Sequence, residues 1–233
     1  MCVRFRDRRI KMDIEFICSD PEVLEHFPVK PSKKTIGDWL KKLPNETSVP
    51  SENLEFRTIK ECMPAMDMMT AGYTIFNTYE LDINPITKSG YEDYRVSSNN
   101  MDYVTTHHHA QCPVKIDNKK KHFIKIHQPW LVKTPPGYSC LFIQPFFELE
   151  TRYRLMPAIV DTDKHDLPVL LPGYAVNSDK FVIEPGVPLV QVIPFKREDW
   201  TMKIKEAPAR SSKLKFYLDG MYRKLFHAKK KWN

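Results

Sequence analysis

The chain has 233 residues, 42% of them hydrophobic and 12% aromatic, enough to bury a sizeable core in one large domain or one domain with appendages. Seven glycines against 19 prolines argue against long helices as the main architecture and for short extended segments joined by stiff turns. The net charge of +7 is gathered at the ends: residues 1–11 and 213–233 carry +10 between them, leaving about −3 for the rest, so a basic folded surface is not implied. Cys2, Cys18, Cys62, Cys112 and Cys140 are odd in number and form no Cys-x-x-Cys pair. That pattern argues against a disulfide framework or a zinc ribbon and for a reducing compartment.

No apolar run reaches the roughly 18 residues of a membrane span. The basic head Met1 to Lys11 runs into Ile14-Glu15-Phe16-Ile17 instead of an apolar signal core. Met12 also heads the sequence Met12-Asp13-Ile14, so the head reads equally well as an upstream extension. A strand is predicted around Ile14 to Cys18. Asp20 then suits an N-cap and Pro21 the first position of a helical turn, which Pro28 and Pro31 break. Ile36, Trp39, Leu40 and Leu43 share one face of a helix that Pro44 ends. A polar loop from Asn45 to Asn53 leads to a strand at Leu54 to Ile59, and Pro64 and Gly72 bracket a two-turn, methionine-rich helix.

An extended stretch from Tyr73 to Leu81 follows, with turns expected at Asn84-Pro85 and Ser97-Ser98-Asn99-Asn100. From Asp102 onward, short strands alternate with turns at 117–121, Pro135-Pro136-Gly137 and Glu184-Pro185-Gly186, the spacing of a sandwich or barrel. Leu214, Leu218, Met221 and Leu225 recur at helical spacing and predict an amphipathic helix over about 212–228 despite Gly220.

Three passages resemble the dUTPase and dCTP-deaminase superfamily. Pro135-Pro136-Gly137-Tyr138-Ser139-Cys140-Leu141-Phe142 is similar to the turn and strand that precede that family's arginine-serine-glycine motif. Ala158-Ile159-Val160-Asp161-Thr162-Asp163 resembles the hairpin with its water-activating aspartate, and Phe181 to Val192 resembles its closing strand. The resemblance implies a β-clip or distorted barrel, and a trimer by analogy. The chemistry departs from the family. Pro145-Phe146-Phe147-Glu148 stands where the family has Pro-Arg-Ser-Gly, so two rings and a carboxylate replace the phosphate ligands. Lys164 takes the place of an expected aromatic, and no glycine-rich, arginine-bearing lid is recognisable.

The whole chain is also similar to a family of tailed-phage and bacterial proteins of unknown function. The matching features are the Asp38-Trp39 helix after a proline-lysine segment, the Lys60-Glu61-Cys62-Met63-Pro64 to Gly72-Tyr73 block, Pro135-Pro136-Gly137-Tyr138, Asp161-Thr162-Asp163, the Gln191 to Pro194 strand and a basic aromatic tail.

Asp161 and Asp163 are the catalytic candidates, since alternating strand residues put both carboxylates on one face, where they activate water or hold a divalent cation. The alternative is a hairpin corner where aspartate caps a turn. His107, His109 and Cys112 are metal-ligand types, with His107 and His109 sharing a strand face and His122 or His127 available to complete a site; an exposed polar strand is the plainer reading. Cys62, Met63, Met66, Met68 and Met69 read as filler of a core helix. Cys140 reads as a buried thiol, and Phe146 and Phe147 as core or subunit contact. Arg223, Lys224, Lys229, Lys230, Lys231 and Trp232 suit a grip on nucleic acid or an acidic partner, or equally a solvated helix end.

The expected fold is therefore mainly β with a few short helices. Its segments are N-terminal strand and helix elements over 1–60 packed on the core, a barrel-like domain over 61–206, and an amphipathic helix and basic tail over 207–233. The expected function is that of a non-enzymatic phage protein, a structural or binding module, self-associating, without cofactor, and located in the host cytoplasm or the virion. The alternative is a metal-dependent hydrolase of a nucleotide or related small molecule that uses Asp161 and Asp163 with Mg2+, or a zinc site.

Overall fold

The structure, a computed structural model, describes residues 12–49, 51, 54–88, 90–111, 115–116, 118–206, 227–230 and 232. It is mainly β, with few helices and a sheet that curls into a half-barrel. Among the described residues there is no helix long and apolar enough to cross a membrane. The helix expected over 212–228 falls almost wholly outside the described residues, and the part that is described, 227–228, is not helical.

Local chemistry accounts for the helices. The Asp20 carboxylate accepts from the Glu22 and Val23 N–H groups and caps Pro21–His26, with proline at the first position. Asp38–Lys42 is a single short turn before Pro44 and buries only Leu40, while Trp39 stays 38% exposed. Met63–Thr70 ends at Gly72, whose φ of 61° only glycine adopts readily. A Cβ on Gly72 would lie 2.0 Å from the Val192 carbonyl oxygen, so this turn is pressed against the strand Pro188–Lys196, the closing strand; the stretch 181–192 expected as one strand is divided between this strand and Phe181–Ile183.

Two stretches differ from the sequence reading. The loop expected over 45–53 contains the strand Glu46–Val49, which pairs with Leu54–Arg57 as a small hairpin. The turn expected at Asn84-Pro85 lies inside the strand Leu81–Lys88, paired along its whole length with Tyr91–Ser98. Proline is tolerated there because the other neighbour of this strand, Phe181–Ile183, stops pairing at Ile83 and leaves Pro85 on an open edge. The reversal comes instead around Gly90, at φ 84°.

Three sheets form the body. In the first the order is Phe181–Ile183, Leu81–Lys88, Tyr91–Ser98, Lys119–Lys121 and Lys115–Ile116. The second runs Tyr153–Leu155, Leu170–Ala175, Phe123–His127, Val104–His107. The third runs Ala158–Val160, Tyr138–Ile143, Pro188–Lys196, Tyr73–Phe76, Lys30–Pro31. Alternating side chains of all three, Ile75, Ile83, Ile126, Phe142, Leu171 and Val192 among them, meet in one core that also takes in Val23 of the first helix. Each such side chain contributes about 1.5–3 kcal/mol of burial.

Buried polar groups tie the sheets together. Asn77, fully buried, donates to the carbonyls of Tyr79, Ile183 and Glu184 and accepts from the Tyr103 hydroxyl. Between the parallel strands Tyr91–Ser98 and Lys119–Lys121, Glu92 and Lys121 form a buried ion pair at 3.1 Å. Ser178 and Tyr94 donate to Glu92, and Lys121 donates to the Ala175 carbonyl, so neither charge is left with a single partner.

Candidate functional site

The acidic hairpin is closed by an arginine. The strand Ala158–Val160 ends before Asp161, so Asp161 and Asp163 lie in a turn instead of alternating along a strand. Arg197, immediately after the closing strand, reaches both: Nη1 lies 3.2 Å from Asp161 and 2.9 Å from Asp163, and Nη2 makes the second arm of a bidentate pair with Asp163. The Gly137 N–H also donates to Asp163, at 2.9 Å, while Ser139 Oγ donates to Asp161 at 2.7 Å. Arg197, followed by the Gly137 N–H, holds the Asp163 carboxyl far below the usual carboxylate range. A carboxylate engaged on both oxygens is poorly placed to take a proton from water or to bind a cation.

The phosphate-binding corner of the resemblance is likewise altered in space. Phe146 is 71% exposed, so it is not part of the core, and Glu148 is half-buried, its carboxyl pushed up by burial against the opposing charge of Lys41. Glu148 borders an open surface cleft lined also by Trp39, Met68, Met69, Phe146 and Gln191. Thus the methionines expected as core filler are half-buried and two of them line a cleft, while Cys62 is exposed. Cys140 is fully buried; burial pushes its thiol up to about 11, against the hydrogen bond from Thr162, which makes it inert as a nucleophile.

The histidines gather differently from the sequence reading. The strand Val104–His107 ends at His107, and His109 begins a 3-10 turn over His109–Gln111, so His107 and His109 do not share a strand face. The cause is the partner strand: its pairing ends at Phe123 opposite His107, because two residues earlier, at Lys121, the chain belongs to the first sheet. His107 pairs with Gln111, and Cys112 lies outside the described residues.

In their place His108, His109 and His122 converge, each offering one ring nitrogen within 4.8 Å of the others. His122, 8% exposed, sits where the chain passes from one sheet to the other, fixed by its N–H to the Glu92 carbonyl at 2.8 Å. Its Nδ1 lies 2.9 Å from Asp93 Oδ1 and its Nε2 3.0 Å from His109 Nδ1, with the Tyr91 ring stacked on it at 4.9 Å. Desolvation, then His108, His122 and Lys120, hold the His109 imidazole below its usual pKa, which favours the neutral ring.

The end of the tail folds back on the body. Lys230 and His227 both engage Asp67, the latter at 3.1 Å, and Trp232 meets Tyr73 edge-on at 6.4 Å. Lys229 is exposed, and Arg223, Lys224 and Lys231 lie outside the described residues.

Sequence reasoning missed Arg197 and Asp93, and it noted His108 only as part of the run His107-His108-His109. Arg197 is brought back toward Gly137 by the register that pairs Lys196 with Tyr138, which one sequence does not encode. Asp93 carried no signal either, because its place depends on where two sheets meet. No family model matches the chain, and no curated protein matches it.

Proposed function

We propose that the chain is a non-enzymatic phage protein that uses a dUTPase-like β-barrel as a structural module and works by self-association, in the virion or as an accessory factor in the host cytoplasm. The arm after the closing strand carries this reading. Residues 197–206 have no helix or strand of their own, and within them Trp200, Met202 and Ile204 are 88%, 83% and 88% exposed. Their spacing is that of a strand with one apolar face, and burying each such side chain stabilises an assembly by about 1.5–3 kcal/mol. A second copy of the chain is the partner, in a closed ring that by analogy is a trimer.

Two further observations support a role without catalysis. Metal binding or proton transfer at Asp163 requires breaking its bidentate Arg197 pair first, while Arg197 and Ser139 both engage Asp161 at Oδ1. The corner that phosphate would occupy instead presents Phe146 and the carboxylate of Glu148. These weigh against the hydrolase alternative. Of the two described lysines of the tail, Lys230 already pairs with Asp67, so a grip on nucleic acid would draw on Lys229.

Light scattering on the full-length chain should give a closed oligomer, and Trp200→Ser with Ile204→Ser a smaller species of unchanged fold. Deoxynucleoside triphosphates with magnesium or manganese should yield no product. A monomeric wild type, or turnover that Asp161→Asn abolishes without unfolding, overturns the proposal. Detection in purified virions, against infected lysate, separates a virion component from an intracellular factor.

A further inference from the structure

We propose that His108, His109 and His122 bind one borderline divalent transition-metal ion, with zinc as the reference case, and that Asp93 orients the buried ligand. The ion then pins the 3-10 turn at the end of the second sheet's edge strand to the first sheet. This site is separate from the assembly reading above and from the acidic hairpin.

The geometry fits such an ion. Around tetrahedral zinc with Zn–N distances of about 2.0–2.1 Å, ligand nitrogens lie roughly 3.3–3.4 Å apart. His122 Nε2 and His109 Nδ1 stand at 3.0 Å, and the widest separation in the trio is 4.8 Å. His108 is the exposed member, its ring 4.2 Å from that of His109 and 4.8 Å from that of His122. Its Nδ1 accepts from the Ala110 N–H at 3.1 Å, which leaves Nε2 as the ligand atom. Imidazole nitrogens are the donor type that suits zinc, copper and nickel over magnesium or calcium.

The outer contacts are those of a built site. Asp93 lies 2.9 Å from the ring nitrogen of His122 that faces away from the trio, the carboxylate–histidine arrangement that fixes the tautomer and raises ligand basicity. Asp93 is itself held by Lys88 and by the Tyr94 N–H at 2.9 Å. The Tyr91 ring packs against both His109 and His122, at 4.8 and 4.9 Å. Behind these, Glu92 and Lys121 fix the two strands that present Asp93 and His122. Three protein ligands leave the fourth position to water.

A run of three surface histidines binds metal weakly without any fold, and the test must separate that case. Untagged full-length protein, treated with a chelator and dialysed, is titrated with zinc chloride by calorimetry and melted with and without the ion. The expected result is one zinc per chain and a higher Tm. His108→Ala, at an exposed position, should weaken binding roughly tenfold or more, and Asp93→Asn by roughly 10–100-fold. His107→Ala should bind as the wild type does. No stoichiometric zinc in the wild type overturns the proposal, as does unchanged affinity in Asp93→Asn and in the His108→Ala, His109→Ala pair. Circular dichroism of each zinc-free variant checks the fold; should Asp93→Asn not fold, the His108→Ala, His109→Ala pair decides alone.

Discussion

The aspartate hairpin and the histidine corner hold comparable numbers of groups able to bind a cation or move a proton, yet they stand in opposite conditions. At the hairpin a guanidinium and a backbone N–H engage Asp163 on both oxygens. At the histidine corner a carboxylate, Asp93, stands behind His122 and leaves the ring nitrogens facing one another. Residue type therefore says little about availability, which is set by what the fold places opposite.

The largest effect expected is on the support of the histidine corner. Glu92→Gln leaves Lys121 buried without its countercharge and should cost about 3–5 kcal/mol in urea unfolding, whereas replacing both residues by apolar ones should recover most of it. A loss under 1 kcal/mol would mean that the corner does not rest on this pair. Next comes Gly72→Ala, which forces a left-handed residue into the Val192 carbonyl and should cost about 3 kcal/mol. Because Val192 lies in the strand that leads to Arg197, this change should also loosen the aspartate hairpin, visible as faster amide exchange at Gly137.

The hairpin itself is tested by pH. Asp163 has a folded pKa below its unfolded value, so its contribution to stability is present above about pH 4 and is lost as pH falls through the folded value. Asp163→Asn should lower Tm at neutral pH and flatten the acid limb of the stability profile; an unchanged limb would contradict the latch. The smallest effect on stability belongs to the arm, where Met202→Ser should change the stability of the dissociated chain by less than about 0.5 kcal/mol while weakening the oligomer seen by light scattering.

Much of the frame was legible because its signals are local. Asp20 before Pro21, Gly72 after the methionine helix, and Gly137 and Gly186 in their turns each require one particular residue within a few positions, and each stands where expected. Pro85 misled because a proline usually marks a break, and only the short reach of its neighbour strand makes it harmless. The sites were less legible. Arg197 meets Asp163 across 34 residues and Asp93 meets His122 across a parallel pairing, contacts that no spacing rule in one sequence encodes.

The third sheet carries a further consequence, for the order in which the protein comes together. Its middle strand, Pro188–Lys196, joins Tyr138–Ile143 on one side and Tyr73–Phe76 on the other, and it is the last strand described along the chain. During synthesis both neighbours emerge with open edges and wait for it, so the sheet closes only when most of the chain is made. Such non-local pairing slows folding and exposes strand edges to mispairing. A nascent chain stopped before Pro188 should therefore be captured by chaperones, and one released a few tens of residues later should not.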